Sequence, residues 1–278
     1  TATVGNLTMT IRPLKLGVAR FAPNLTTVGV DTLVVPLPNG TSYLYATVAG
    51  VDSVVNDSTY VEISIPGYAT DTALVRVRQP GVQIYSVPTS TTSLSNTTAI
   101  YAEIGVPVQG GTTLQGAAQA VRAGHAPVTV TFHVNPGTFA QLTDSSGVFD
   151  TVRTAQILPG GNAYTPLSVG SGGVGYHPLA AGTTVTNVTI PGFVTNPSYS
   201  FTTTTITAPT LSFSSPVVGA GLQMSTYASL GAPAPAGAVA TVKSLNPAVL
   251  IIADSITKAG GDSAMIPLTT STTTFYFY

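Results

Sequence analysis

The sequence predicts an all-β chain of tandem antiparallel β-sandwich modules, roughly 115 residues each and incomplete at both ends. Three observations predict it. The first is a repeat: TIRPLKLGVARFAPNLTTVGVDTLVVPL (10–37) and TVKSLNPAVLIIADSITKAGGDSAMIPL (241–268) align over 28 residues at a constant offset of 231. Nine positions are identical, namely Thr10/Thr241, Leu14/Leu245, Val18/Val249, Ala22/Ala253, Thr26/Thr257, Gly29/Gly260, Asp31/Asp262, Pro36/Pro267 and Leu37/Leu268. The second is the recurrence of short alternating runs cut by Pro and Gly, with no amphipathic helical window of useful length in the first copy. The third is composition. Only 7% of residues are charged while 44% are apolar, so a core can form, and Ser and Thr must supply most of the solvated face. Thr and Val favour pleated, half-buried surfaces.

A looser middle copy divides the interval. Asn135-Pro136 matches Asn246-Pro247, and Thr165-Pro166-Leu167 matches Ile266-Pro267-Leu268, with about ten extra residues between the two landmarks. Ile65-Pro66-Gly67-Tyr68 has its partner in Ile190-Pro191-Gly192-Phe193. The expected boundaries are therefore 1–79 for the later part of a module, 80–207 for a complete one and 208–278 for the early part of a third.

In the first segment, strands are expected over Asn6–Arg12, Thr32–Leu37, Tyr43–Val48, Tyr60–Ile65 and Ala73–Arg78. Pro38-Asn39-Gly40 supplies a hairpin turn, because Asn-Gly tolerates positive φ at both central positions. In the second, strands are expected over Val82–Val87, Thr97–Ile104, Val128–Val134, Val152–Leu158, Thr183–Ile190 and Tyr199–Ile206. Gly110-Gly111 and Gly116–Ala120 form a loop or short helix. In the third, strands are expected over Thr210–Phe213, Leu222–Leu230, Ala238–Leu245, Val249–Ile252 and Thr272–Tyr278. The last strand aligns with Tyr43–Thr47. The third segment thus lacks the equivalents of Tyr60–Ile65 and Ala73–Arg78, and the first lacks those of Thr210–Phe213 and Leu222–Leu230.

Composition excludes several functions. A net charge of −1 gives no electrostatic reason to bind nucleic acid or acidic lipid. Absence of cysteine removes disulfides, Cys-based zinc sites and a Cys nucleophile. The longest apolar run, Ala248–Ala253, is far too short for a membrane span. Thr1 is neither an initiator Met nor part of a signal peptide, so a preceding segment is expected.

The frame Val242-x-x-Leu245-Asn246-Pro247-Ala248-Val249, followed by Ile256-Thr257-x-x-Gly260-Gly261-Asp262-Ser263-Ala264-x-Ile266-Pro267-Leu268, resembles the bacterial Ig-like repeats of large cell-surface and extracellular fibre proteins. The resemblance implies Ig-like sandwiches located outside the cell or at its surface. It also implies use as a spacer, stalk or adhesive array.

No catalytic residue emerges. Gly170-Ser171-Gly172-Gly173-Val174-Gly175 matches G-x-G-x-x-G, but Tyr176-His177-Pro178 follows where a phosphate-binding helix is required, so these are loop glycines. His125, His133 and His177 have no metal-ligand spacing. There is no G-x-S-x-G elbow, and the only two glutamates, Glu62 and Glu103, fall in separate expected strands, against a paired-carboxylate glycosidase site. Asp144 and Asp150 bracket a loop that could offer oxygens to calcium, and Asp52 and Asp57 flank another. Neither has the EF-hand pattern, and solvated turns are the simpler alternative. Six asparagines head N-x-[ST] sequons, Asn6, Asn24, Asn39, Asn56, Asn96 and Asn187, and are the candidates for glycosylation.

Two functions follow. One is a structural segment of an extracellular fibre, stalk or surface layer. Its partners are adjacent repeats of the same polypeptide or copies of itself: either the chain continues beyond these residues, the favoured reading, or it assembles head to tail with each incomplete module completed by the neighbouring subunit. The alternative is an adhesin or phage-type fibre domain binding a glycan or surface protein through Thr143–Tyr164 and Gly105–Ala126. No cofactor other than calcium is implied.

Overall fold

Alternation decides which residues line each core. In Val128–Asn135, the residues Val128, Val130, Phe132 and Val134 are all buried and those between them are more exposed, the period of a strand with one face on a core. The computed structural model describes residues 7–278 apart from 42, 52–54, 109–112, 115–117, 271 and 273. Asn6, Asp52, Gly110-Gly111 and the start of the expected helix at Gly116 lie outside the described residues, while 118–120 are irregular.

The first segment holds β1 (Leu7–Pro13), β2 (Ala19–Ala22), β3 (Leu33–Leu37), β4 (Thr47–Gly50), β5 (Asp57–Ser64) and β6 (Asp71–Val77), in sheets ordered β3-β1-β5-β6 and β2-β4. The middle one holds β7 (Gly81–Tyr85), β8 (Ser90–Thr92), β9 (Thr98–Gly105), β10 (Val128–Asn135), β11 (Ala140–Thr143), β12 (Phe149–Asp150), β13 (Val152–Ile157), β14 (Val174–Pro178), β15 (Gly182–Thr189) and β16 (Phe201–Thr207). Its sheets are β13-β10-β15-β16-β8 and β12-β11-β14-β9-β7. The third holds β17 (Leu211–Phe213), β18 (Thr226–Leu230), β19 (Val239–Lys243), β20 (Ser263–Pro267) and β21 (Thr274–Phe277), in sheets β17-β18-β21 and β19-β20. All ladders are antiparallel except β8 on β16. The architecture is all-β, and each segment has its own buried cluster. The middle cluster, built around Phe132, Leu142, Ile157 and Tyr176, is much the largest.

The internal repeat is a repeat of pairing as well as of sequence. β1 meets β3 through Thr8↔Pro36, Met9↔Val35, Thr10↔Val34 and Ile11↔Leu33. β19 meets β20 through Val239↔Pro267, Ala240↔Ile266, Thr241↔Met265 and Val242↔Ala264, the same register shifted by 231. The two-way hydrogen bonds between Phe21 and Val30, both 2.9 Å, recur between Ile252 and Gly261 at 2.8 and 2.9 Å. The Ala22↔Thr47 pair recurs as the two-way bonds of Ala253 with Tyr278. Shared residues acquire reasons here. A Cβ on Gly29 would approach Arg20 Cβ to 3.0 Å, and one on Gly260 would approach Ile251 Cγ1 to 2.9 Å. Pro36 and Pro267 sit on edge strands, where a missing N–H is tolerated.

What differs is the neighbourhood of the shared frame. β1 carries β5 on its other side through Thr10↔Ser64, Ile11↔Ile63 and Arg12↔Glu62. β19 has no such partner among the described residues. Conversely β21 pairs with β18, whereas the equivalent stretch Tyr43–Ala46 is in no ladder, so the strand expected over Tyr43–Val48 is reduced to β4. The absent neighbours show in exposure: Val18 is 1% exposed and its equivalent Val249 is 81% exposed. The expected strand Val249–Ile252 likewise shrinks to the Ile252–Gly261 bridge, beside which Ala253 exchanges hydrogen bonds with Tyr278.

Other expectations need correction. Asn39-Gly40 does not close a two-residue hairpin. Gly40 alone has positive φ, 86°, the Thr41 N–H donates to Pro38 O, and the turn passes the chain from the β3 sheet to the β4 sheet. The equivalent of Val35–Leu37 in the middle segment is Ala155–Ile157, which pairs with β10 as β3 pairs with β1. Thr165-Pro166-Leu167 therefore lies beyond it, and the extra residues follow β13. Threonine is also not confined to the surface. Thr143, Thr165, Thr184, Thr186 and Thr204 are buried in the middle sandwich, because Phe132↔Val188 and His133↔Asn187 fix a register that turns Thr184 and Thr186 inward.

The exposure contrast gives a paired test. Val18→Ala is expected to cost the first sandwich about 2 kcal/mol, while Val249→Ala should change the third by less than about 0.5 kcal/mol. Urea titrations that follow each segment by its own NMR resonances check this; equal losses would contradict the assigned packing.

Candidate functional site

The acidic pair proposed for calcium is built around a cation already. Asp144 follows β11, Asp150 ends β12 and Arg153 lies in β13, so the hairpin places the guanidinium between the two carboxylates. Arg153 Nε lies 3.5 Å from Asp144 Oδ2 and Nη1 lies 3.6 Å from Asp150 Oδ2. Arg153 Nη2 donates to Val148 O at 2.6 Å. The Asp144 carboxyl is held below its ordinary range, first by hydrogen bonds from the Ser146 hydroxyl and amide and more weakly by Arg153. The positive charge that balances these acids is thus a side chain. Asp57, the other nominated acid, accepts from Lys15 Nζ at 2.6 Å. His177 packs against Phe149, and its Nδ1 lies 3.1 Å from the Thr97 hydroxyl. The three histidines do not converge, and no cluster of three metal-ligating side chains occurs among the described residues. Gly170–Gly175 runs through the 3-10 turn Val169–Ser171 into β14, not a helix. Glu62 and Glu103 belong to different sandwiches, Glu62 being paired with Arg12 at 2.7 Å.

The sequons divide by geometry. Asn24, Asn39, Asn56 and Asn96 are exposed and outside strands. Asn24 Oδ1 is engaged by the Thr26 amide and hydroxyl and by the Thr27 hydroxyl at 2.8–3.0 Å. Asn56 has the left-handed φ of 57° that Asn tolerates best among non-glycines. Asn187 is different: it is a half-buried position inside β15, paired with His133 on one side and Phe201 on the other.

The two stretches assigned to ligand binding are not free loops. Thr143–Tyr164 contains β12 and β13, the latter a partner of β10. Its end then runs beside β9 and the 105–126 stretch. Ile104 N donates to Ala163 O, Val121 N to Asn162 O and Gly160 N to Val121 O, at 2.9–3.0 Å. Both stretches also reach the first sandwich. A Cβ on Gly124, whose φ is 79°, would lie 3.1 Å from Val28 Cγ2, and one on Gly160 would lie 3.9 Å from Thr26. They pack the joint between two sandwiches.

Beside that joint lies a group that sequence inspection missed. Tyr85 and Tyr101 are cross-strand partners on β7 and β9, with rings stacked at 5.2 Å and 11°. Tyr164 meets Tyr101 edge-on at 6.0 Å. Glu103, bridged to Tyr164 through the backbone, accepts from the Tyr85 hydroxyl. The signal available was parity: Tyr85 lies two residues from Gln83 on one strand, and Tyr101 two from Glu103 on the next, so all four share a face. The Tyr85 and Tyr101 ring faces cover one another, an arrangement that suits hydrogen bonding by the hydroxyls and Glu103 more than stacking on a flat ligand.

Burial, followed by the hydrogen bond and charge of Glu103, pushes the Tyr85 hydroxyl up to about 12. Below pH 10 the group is protonated in both folded and unfolded chains. Above it the unfolded chain loses its proton first, so stability falls with rising pH until the folded group ionises near pH 12. Tyr85→Phe should flatten the alkaline decline between those values without abolishing it, because burial also raises Tyr176 and Tyr199. Identical alkaline slopes for wild type and variant in denaturation curves would refute the burial assigned to Tyr85.

No protein-family model matches the chain, and no curated protein matches it significantly. Solved structures give distant likenesses. Domains 4 and 5 of the S-layer protein SbsC align at 14% identity over 72% of this chain and 70% of that one, with a TM-score of 0.28. Invasin, a bacterial integrin-binding protein, aligns at 12% identity over 99% of this chain and 47% of its own length, with a TM-score of 0.27. The E. coli alpha-2-macroglobulin aligns at 11% identity over 98% of this chain and 19% of its own, with a TM-score of 0.22.

Proposed function

We propose that the chain is a non-catalytic structural segment of an extracellular fibre, stalk or surface layer. It consists of one complete Ig-like module, 80–207, flanked by the later part of one, 1–79, and the early part of another, 208–278, whose open edges are covered by strands of an adjacent repeat or of a neighbouring subunit joined head to tail. The observation that carries this is the β1–β3 frame repeated as β19–β20 at one register. Modules that repeat their pairing residue for residue are what a stacked array needs, since each unit contacts mainly its neighbours. The joints suit a stiff spacer. Three residues separate β6 from β7 and three separate β16 from β17, and Gln79 Nε2 in the first joint donates to Gly192 O at 3.0 Å. Exposed turn asparagines and the lack of cysteine are compatible with life outside the cell.

Binding of a glycan or surface protein is a second role, favoured by the Tyr85–Tyr101–Tyr164 group with Glu103. Electron microscopy of native material separates the two. Continuous beaded fibres or sheets are expected; discrete particles that lose cell attachment when the three tyrosines become alanine would replace the structural role with the adhesive one.

A further inference from the structure

The turn that follows β3 is built twice, once around an asparagine and once without. In the first segment the Thr41 N–H donates to Pro38 O at 3.1 Å, and at the constant offset the Thr272 N–H donates to Thr269 O at 2.9 Å. Asn39 stands where the third segment has Thr270. The turn therefore does not need an asparagine. Asn39-Gly40 is nevertheless the only Asn-Gly pair in the chain.

Three features of that pair favour attack of a backbone nitrogen on a side-chain carbonyl carbon. Asn39 is exposed, and its carboxamide makes no hydrogen bond among the described residues, so nothing holds Cγ away from the next amide. The Gly40 N–H has no acceptor among them either, because the turn's own bond is made one residue later. Gly40 also has no Cβ to crowd its nitrogen, and the direction in which one would project is clear to 4 Å.

The other described asparagines each lack at least one of these features. Asn135, Asn196 and Asn246 precede proline, which has no N–H to deprotonate. The Asn24 carbonyl is held by Thr26 and Thr27. Asn187 lies within β15, and the Val188 N–H after it is committed to Ser200 O at 3.0 Å. Asn56, Asn96 and Asn162 precede Asp57, Thr97 and Ala163, whose Cβ atoms crowd the attacking nitrogen.

We infer that Asn39 is a site of spontaneous deamidation, a modification that needs no enzyme. The Gly40 nitrogen gives up its proton and bonds to Asn39 Cγ, the carboxamide C–N bond breaks, and ammonia leaves with that proton. The product is a cyclic succinimide. Water then opens the ring on either side of the nitrogen. Opening at Cγ gives aspartate; opening at the main-chain carbonyl gives isoaspartate, in which the backbone runs through Cβ and Cγ. The net change is one water consumed and one ammonia released, with nothing oxidised or reduced. Each event adds a carboxylate to a chain of net charge −1. Isoaspartate also adds one carbon to the main chain where it crosses from the β3 sheet to the β4 sheet. The turn after β20 is an inert twin of this one. The inference uses one exposed turn and does not rest on the tandem-module reading.

The test incubates the purified full chain in mildly alkaline buffer and maps its peptides by mass spectrometry. The peptide carrying Asn39 is expected to convert first, into two products of equal mass, one of which is a substrate for a protein isoaspartyl methyltransferase. Gly40→Ala should slow the conversion about tenfold or more, since it sets a Cβ beside the nitrogen. Asn39→Thr, which copies the third segment, should end ammonia release from this turn and leave the amide chemical shifts of β3 and β4 in place. Three results overturn the inference: an intact Asn39, conversion no faster there than at the other asparagines, or a sugar on Asn39 Nδ2 in every molecule of native material.

Discussion

Every strand has two edges, and a strand in the middle of a sheet needs a partner on both. Leaving one bare exposes a row of N–H and C=O groups and removes the cover from the side chains behind it. This requirement organises the chain. The middle segment has five strands in each sheet, so three strands of each are paired on both sides, and its core is correspondingly large. The flanking segments share the β1–β3 frame and meet the requirement on opposite sides. β1 has its β5, and β21 has its β18. The frame is one object in two incomplete settings, and the difference between Val18 and Val249 follows from the setting, as the residue is the same.

The middle segment shows how cohesion survives with little charge and much threonine. Thr184 and Thr186 are buried, Thr184 beside the buried Tyr176, so hydroxyls occupy space that aliphatic groups fill elsewhere in the core. Thr204 donates its hydroxyl to Pro88 O at 2.6 Å, and the Thr165 hydroxyl accepts from the Ala102 amide at 3.0 Å. Each ties a side chain to the backbone of a stretch distant in sequence, which fixes relative position in a way a valine of equal volume would not.

Much of this was legible in the sequence because the repeat carries register implicitly: a gapless 28-residue match leaves no room for a strand slip. β5, β9, β10 and β15 were legible from alternation. The rest was not, for identifiable reasons. β11 and β14 are short, and β14 begins inside a glycine-rich stretch where composition signals a break. Thr184-Val185-Thr186 reads equally well with either face inward, and only pairing with β10 decides. The Asp144–Arg153–Asp150 group was half visible, since the acids stood out and nothing in the spacing marks the arginine that lies between them. The tyrosine group depends on which strands are neighbours, which parity alone does not give.

Amide hydrogen exchange measured residue by residue on the full chain tests the central claim most directly. Amides of β19 that face β20 should be as slow to exchange as their β1 equivalents facing β3. Amides on the opposite side of β19, across Thr241–Lys243, should exchange orders of magnitude faster than those of Thr10–Arg12 that face β5. Equal protection on both sides of both strands would contradict the account, since it would mean that β19 is not an open copy of β1.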